Sequence, residues 1–290
     1  MKLHKIAMLI ACIISTPALA WSNGGNFDGS VDFGGSVKPV EYSQLWRWKV
    51  GTGLNDFRNN ISEMAQDQKK LTITMDSPKG LLYGETVEAM TASEGMGAIP
   101  NIAFTDYEDN TVSLEQDSSD SDGRGHMTLP IKDEQNNKIG TLKLNVTAVG
   151  LAVGPYFDNQ GGTILAMSAN ASTNSHVLYG GLFARSIGNA YSTGNALVST
   201  KFGGKSLNDI KADLWRHPVA ASLPMAGWTA ITWASPVDFK EGEDKFLHGI
   251  ASVSYVMGLD EGQTMEATFD NPITATTKWS APLNVAVTYN

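Results

Sequence analysis

Phe27-Asp28-Gly29-Ser30-Val31-Asp32-Phe33-Gly34-Gly35-Ser36-Val37 alternates along its whole length. The odd positions, Phe27, Gly29, Val31, Phe33, Gly35 and Val37, are apolar or glycine. The even positions are acidic or small. A period of two is the signature of a β-strand that buries one face. The glycines weaken an ordinary strand because they bring no side chain to pack. They mark places where a facing surface is shallow or two backbones come close. No tight hairpin follows; Lys38-Pro39-Val40-Glu41-Tyr42 reads as an extended linker. An apolar strand on such a tether suits insertion into a groove elsewhere. It also suits an ordinary strand paired within its own sandwich, and the pattern alone favours neither.

The C-terminus mirrors this segment. Trp279, Ala281, Leu283, Val285, Val287 and Tyr289 share one face, and mostly polar residues share the other. Pro282 cannot donate to a ladder, which points to an edge strand. A long apolar edge strand is an aggregation hazard unless something covers it.

Working outward, residues 1–20 read as an export signal. Lys2, His4 and Lys5 precede an apolar run, Ile6 to Ser15, which is too short to span a bilayer, and Ala18-Leu19-Ala20 offers a small-x-small cleavage site. The single cysteine, Cys12, falls within that signal. The mature chain of about 270 residues is then held by burial and hydrogen bonding alone, without disulfides. Without Lys2 and Lys5, 19 Lys and Arg stand against 30 Asp and Glu, a net charge of −11. That balance excludes a nucleic-acid or anionic-lipid partner.

The 29 glycines and scattered Asn, Asp, Ser and Thr suit short strands joined by turns. Period-two alternation places strands at Leu71–Met75, Leu142–Ala148, Ala251–Met257 and Met265–Phe269. The fold class is therefore all-β and of sandwich type. One helix is expected after Ser206, where Asp209 completes a cap, Leu207, Ile210 and Leu214 share a face, and Pro218 ends the run. A weaker helix is expected over Asn59–Gln68. The helix after Ser206 lies in a Gly-, Ala- and Ser-rich stretch from about Pro155 to Met225, which reads as an insertion into the sandwich, bounded at about 155–249 and carrying one or two short helices.

Enzymatic and metal chemistry find little support. Ser118 to Gly123 resembles a calcium loop, but the first and twelfth positions hold Ser118 and Leu129 where acids belong. The acidic 117–123 segment is expected to be a solvated loop, with no metal or other cofactor. His126, His176, His217 and His248 show no ligand spacing, and no nucleophile elbow or phosphate loop is present. Asp106 and Glu108 are expected to serve a turn at a strand end. Trp215, Trp228 and Trp233 suit sugar stacking, with Arg216 beside the first, but packing of the helix onto the sandwich is the expected role.

Seven colinear stretches resemble chaperone–usher fimbrial subunits of the K88 type and the related CS-thirty-one-A capsule-like subunit. They are Phe27–Ser36, Trp48–Asn55, Lys70–Thr74, Ile99–Glu108, Tyr179–Leu182, Gly262–Phe269 and Trp279–Tyr289. The resemblance implies an incomplete immunoglobulin-like sandwich completed by a donor strand from another subunit. It implies residues 21–42 as donor extension and linker and 43–290 as the pilin domain. Phe27, Gly29, Val31, Phe33, Gly35 and Val37 would form the donor face. Trp279, Ala281, Leu283, Val285, Val287 and Tyr289 would form the groove edge and chaperone-docking face. The implied partners are a periplasmic chaperone, an outer-membrane usher, other fimbrial subunits and a host glycan. The implied place is a cell-surface fimbria reached through the periplasm. The resemblance weakens between about 155 and 249, so Tyr191, Trp215, Arg216 and Trp228 enter only as speculative receptor contacts. The competing expectations are a minor, non-adhesive subunit and a secreted, self-contained carbohydrate-binding protein.

The export reading predicts that mass spectrometry of the secreted protein finds Trp21 at the N-terminus. A chain that keeps Met1 to Ala20 contradicts it.

Overall fold

The computed structural model describes residues 45–90, 99–121, 123–158, 161–184, 198–223, 231–238 and 249–289. The export signal, the extension Phe27–Val37, Tyr191 and Trp228 lie outside the described residues. The strands are β1 (Trp46–Val50), β2 (Lys70–Thr74), β3 (Lys79–Thr86), β4 (Pro100–Thr105), β5 (Thr111–Val112), β6 (Arg124–Lys132), β7 (Lys138–Asp158), β8 (Gly161–Asn170), β9 (Ile231–Asp238), β10 (Ser252–Leu259), β11 (Thr264–Phe269) and β12 (Asn284–Tyr289). Two helices, α1 (Leu207–Arg216) and α2 (Pro218–Ser222), complete the list of main elements. The protein is all-β with a small helical insertion, as the alternation and the turn-rich composition indicate.

The strands form a large sheet, with the path β1-β3-β10-β7-β11-β2, and a small one ordered β12-β4-β5. β6 and β8 pair with the other edge of β7, and β9 pairs with β8. The path β1-β3-β10-β7 together with β4 beside β12 reproduces the A-B-E-D and C-F pairings of an immunoglobulin-type sandwich, in the same chain order. The large sheet buries Leu71, Leu82, Met127, Leu144, Val253 and Tyr255 against Ile102 and Phe104 of the small sheet. Alternation along these strands sends one residue in two into that interior.

β10 and the second half of β7 behave differently. Every residue of β10 is buried, and β7 is buried continuously from Val146 to Pro155. The reason is a third layer. Phe202, Ile210, Leu214 and Ala220 cover the opposite face of the large sheet and pack on Val149, Leu151, Val153, Ile164, Ala166 and Val256. The helices thus give the strands beneath them two buried faces, and Ser252 and Ser254 are enclosed along with their apolar neighbours.

α1 begins where the sequence indicates. The Ser206 hydroxyl accepts from the Asp209 amide, and the Asp209 carboxylate accepts from the Ser206 amide, a reciprocal capping box. Asp213, three residues before Arg216 and on the buried side, is 1 % exposed and binds both Lys205 and Arg216. Ser252 of β10 donates to the same carboxylate at 3.3 Å, and Lys205 also reaches the Thr86 carbonyl at 3.1 Å. Hydrogen bonds from these paired charges to Thr86 and Ser252, as well as apolar burial, therefore fasten the insertion to the large sheet.

The expected helix over Asn59–Gln68 does not form. A single 3-10 turn, Ile61–Glu63, stands there, and Gln66, Asp67 and Gln68 all have positive φ. Three successive left-handed residues break a right-handed helix. They turn the chain back so that Ala65 pairs with Lys70 at the start of β2. The Asn59 and Asn60 side-chain amides donate to the Glu63 carboxylate.

Asp213→Ala leaves Lys205 buried without its acid and is expected to lower unfolding stability by about 3 kcal/mol. Urea denaturation of the variant beside the parent protein measures this. A change under about 0.5 kcal/mol shows that the pair does not fasten the insertion.

Candidate functional site

β12 carries the candidate site. It pairs with β4 from Asn284↔Thr105 to Tyr289↔Pro100. Among the described residues no strand lies along its other edge. In the immunoglobulin arrangement that edge is where the last strand, G, pairs with F. β1 is likewise paired on one side only, with β3. Between the open edges of the two sheets the Trp48 indole N–H donates to the Tyr289 hydroxyl at 2.9 Å.

The side chains of β12 alternate between fully exposed and half-buried. Asn284, Ala286 and Thr288 face solvent, while Val285, Val287 and Tyr289 lean on the core without being enclosed. By contrast, Ile102 and Phe104 on neighbouring β4 are 4 % and 1 % exposed. An inward face that stays half-open beside an unpaired backbone edge lacks both lateral cover and hydrogen-bond partners. It has what an added strand supplies.

On the opposite wall, aromatic rings replace the missing cover. Trp46 and Trp48 stack at 5.6 Å, and Trp48 lies 6.1 Å from Tyr255 in a tilted pair. Gly84 makes this possible. It stands in register with both Trp48 and Tyr255, and a Cβ there would fall 2.2 Å from the Trp48 ring. The indole therefore lies flat across the glycine. Tyr255, fully buried, donates its hydroxyl proton to the Gly181 carbonyl at 2.8 Å, and burial pushes its ionisation far above the ordinary tyrosine range.

Of the six residues expected to share the groove edge, only Val285, Val287 and Tyr289 belong to the strand. Trp279, Ala281 and Leu283 precede it, half-buried against the core. Pro282 offers no N–H, and Ser280 exchanges backbone bonds with Lys132 instead. Trp279 stands edge-on to Phe269 at 6.4 Å. The periodicity of the sequence continues through Trp279, but its ladder does not.

The insertion shows a second feature. A cavity of about 550 Å3 lies between β1, β3 and α1, with Arg47, Lys49, Tyr83, Glu85, Asp209 and Arg216 among its lining residues. Trp215 does not pack the helix down as expected; it is 39 % exposed beside Arg216. Asp106 fulfils the expected turn role, accepting from the Glu108 and Asn110 amides at 2.8 and 3.0 Å. The structure also gathers Asp117, Asp120 and His126, which spacing along the chain does not reveal.

The family model for fimbrial major and minor subunits of K88 type matches residues 1–290. The chain is 38% identical over 296 residues to K88 fimbrial protein AC of Escherichia coli and 37% identical over 295 residues to K88 fimbrial protein AB, covering all of each protein. Similarity to the K88 minor fimbrial subunit FaeI of Escherichia coli is 24% over 153 residues, about half of either chain. With end-to-end matches at this level of identity, the chain belongs to the K88-type family of fimbrial subunits.

Proposed function

We propose that this fimbrial subunit polymerises by donor-strand exchange. The N-terminal extension of one copy lies along β12 of the next, in the place of the absent strand G. The observation that carries this reading is the open edge of β12 with its half-buried face Val285, Val287 and Tyr289. The occupant is the segment with matching chemistry. Phe27, Val31 and Phe33 provide large apolar side chains at alternate positions, while Gly29, Gly35 and Val37 share their face. Each large side chain contributes about 1.5–3 kcal/mol when fully buried. The added strand also supplies partners for the backbone groups of the open edge. A periplasmic chaperone covers the same edge before assembly, and an outer-membrane usher receives the subunit. The mature subunit needs no disulfide because the strand is held along its whole length.

We further propose that the subunit attaches the fimbria to host-cell glycans through the insertion. The cavity beside α1 combines carboxylates, two arginines and aromatic rings, the groups that orient sugar hydroxyls and stack on sugar faces. Trp215, exposed on α1, precedes the cavity-lining Arg216 in the chain. Full-length similarity to fimbrial proteins AB and AC, against half-length similarity to the minor subunit, favours a subunit that forms the body of the fibre.

Val31→Asp and Phe33→Asp each place a charge on the donor face. Both are expected to abolish surface fimbriae while leaving the periplasmic chaperone complex at its normal level, as read by electron microscopy and by co-purification. Normal fimbriae from either variant overturn the donor assignment. Deleting Tyr289-Asn290 is expected to reduce chaperone capture several-fold, and an unchanged amount of complex contradicts docking at this edge.

A further inference from the structure

We propose that Asp117, Asp120 and His126 form a binding site for a divalent transition-metal cation of the zinc type, separate from the groove. One ligand atom from each residue lies within 4.8 Å of the others. The site is built by the hairpin that leads into β6. Glu115 and His126 exchange both backbone hydrogen bonds at 2.8 Å, which closes the loop between them. Gln116 caps the Arg124 carbonyl at 2.8 Å. The Asp117 amide donates to the Asp120 carboxylate at 2.7 Å, and the Asp120 amide donates to the Asp117 carbonyl at 3.1 Å. The two acids are thus held on the same side of the loop as the imidazole.

His126 distinguishes this cluster from a solvated acidic patch. Its side chain is only 10 % exposed, whereas that of Asp117 is 61 % exposed. The ring Nε2 lies 3.3 Å from a Glu115 carboxylate oxygen, and Nδ1 lies 3.8 Å from Asp117. With Nε2 protonated beside Glu115, Nδ1 is the nitrogen left free to ligate, 3.8 Å from the Asp117 carboxylate. A carboxylate behind a ligating histidine is the usual device for fixing ring orientation and tautomer. Metal–ligand bonds of about 2.0–2.2 Å require the three atoms to close by about 1 Å. The exposed Asp117 side chain has room to make that movement while His126 stays fixed.

Ligand type sets the choice of ion. Calcium and magnesium take oxygen ligands, and an imidazole among carboxylates suits zinc and its transition-metal neighbours. Lys143 stands 3.9 Å from the Asp117 carboxylate and offsets part of the negative charge when no cation is bound. A cation held here ties the loop tip to β6 without involving β12.

Intact fimbriae, freed of metal by chelation and dialysed against zinc chloride alone, provide the test. The site predicts one saturable zinc per subunit in the parent protein. Binding falls at least about tenfold in both His126→Gln and Asp120→Asn and is unchanged in His176→Gln. If His126→Gln fails to assemble, the exposed-loop variant Asp120→Asn decides alone. Absence of saturable zinc in the parent, or equal binding by Asp120→Asn, overturns the proposal.

Discussion

The backbone of β12 meets β4 along one edge and, among the described residues, no strand along the other. Every backbone amide and carbonyl needs a partner, and an apolar strand face needs cover. Along β12 one side of each requirement is filled and the other is open. Much else follows from this asymmetry. β4 on the filled side is tightly enclosed, Val285, Val287 and Tyr289 on the open side are not, and aromatic rings line the facing wall of β1. The Trp48–Tyr289 hydrogen bond joins the two walls on the open side.

The remainder of the molecule supports a rigid frame around that edge. Within the large sheet, β10 and the second half of β7 are covered on both faces, by the small sheet on one side and by the helical insertion on the other. A strand added to β12 therefore meets a preorganised surface, and the conformational entropy of ordering falls mainly on the incoming strand. The insertion is held to the large sheet by Ile210 and Leu214 and by the bonds of Lys205 to Thr86 and of Ser252 to the buried Asp213.

Much of this was legible in the sequence, and for physical reasons. Strands with one wet face announce themselves by alternation, as Leu71–Met75 and Met265–Phe269 do, and a capping box such as Ser206 with Asp209 is a local chemical pairing. What depends on distant partners was not legible. Asp213 looks like a surface acid until Lys205 and Ser252 enclose it. Trp215 looks like a packing residue until the helix is seen to turn it outward. Asn59–Gln68 has helical composition, but three left-handed residues and pairing with β2 override it. Asp117, Asp120 and His126 come together only because Glu115 and His126 pair across a hairpin. The ends of the chain show the same division: their alternation is plain, while the identity of their partners is a property of the assembly.

The central claim is that the strand beside β12 comes from a neighbouring copy, and intersubunit cross-linking tests it most directly. The single cysteine of the sequence is Cys12, so with Cys12→Ser in place Val287→Cys can be combined in turn with a single cysteine at each position from 27 to 37 in assembled fimbriae. Oxidation is predicted to give a ladder of covalent multimers on a denaturing gel, collapsing to monomer with reductant, at one or two donor positions. A disulfide confined to monomers would show that the extension completes its own sandwich, and would contradict the account.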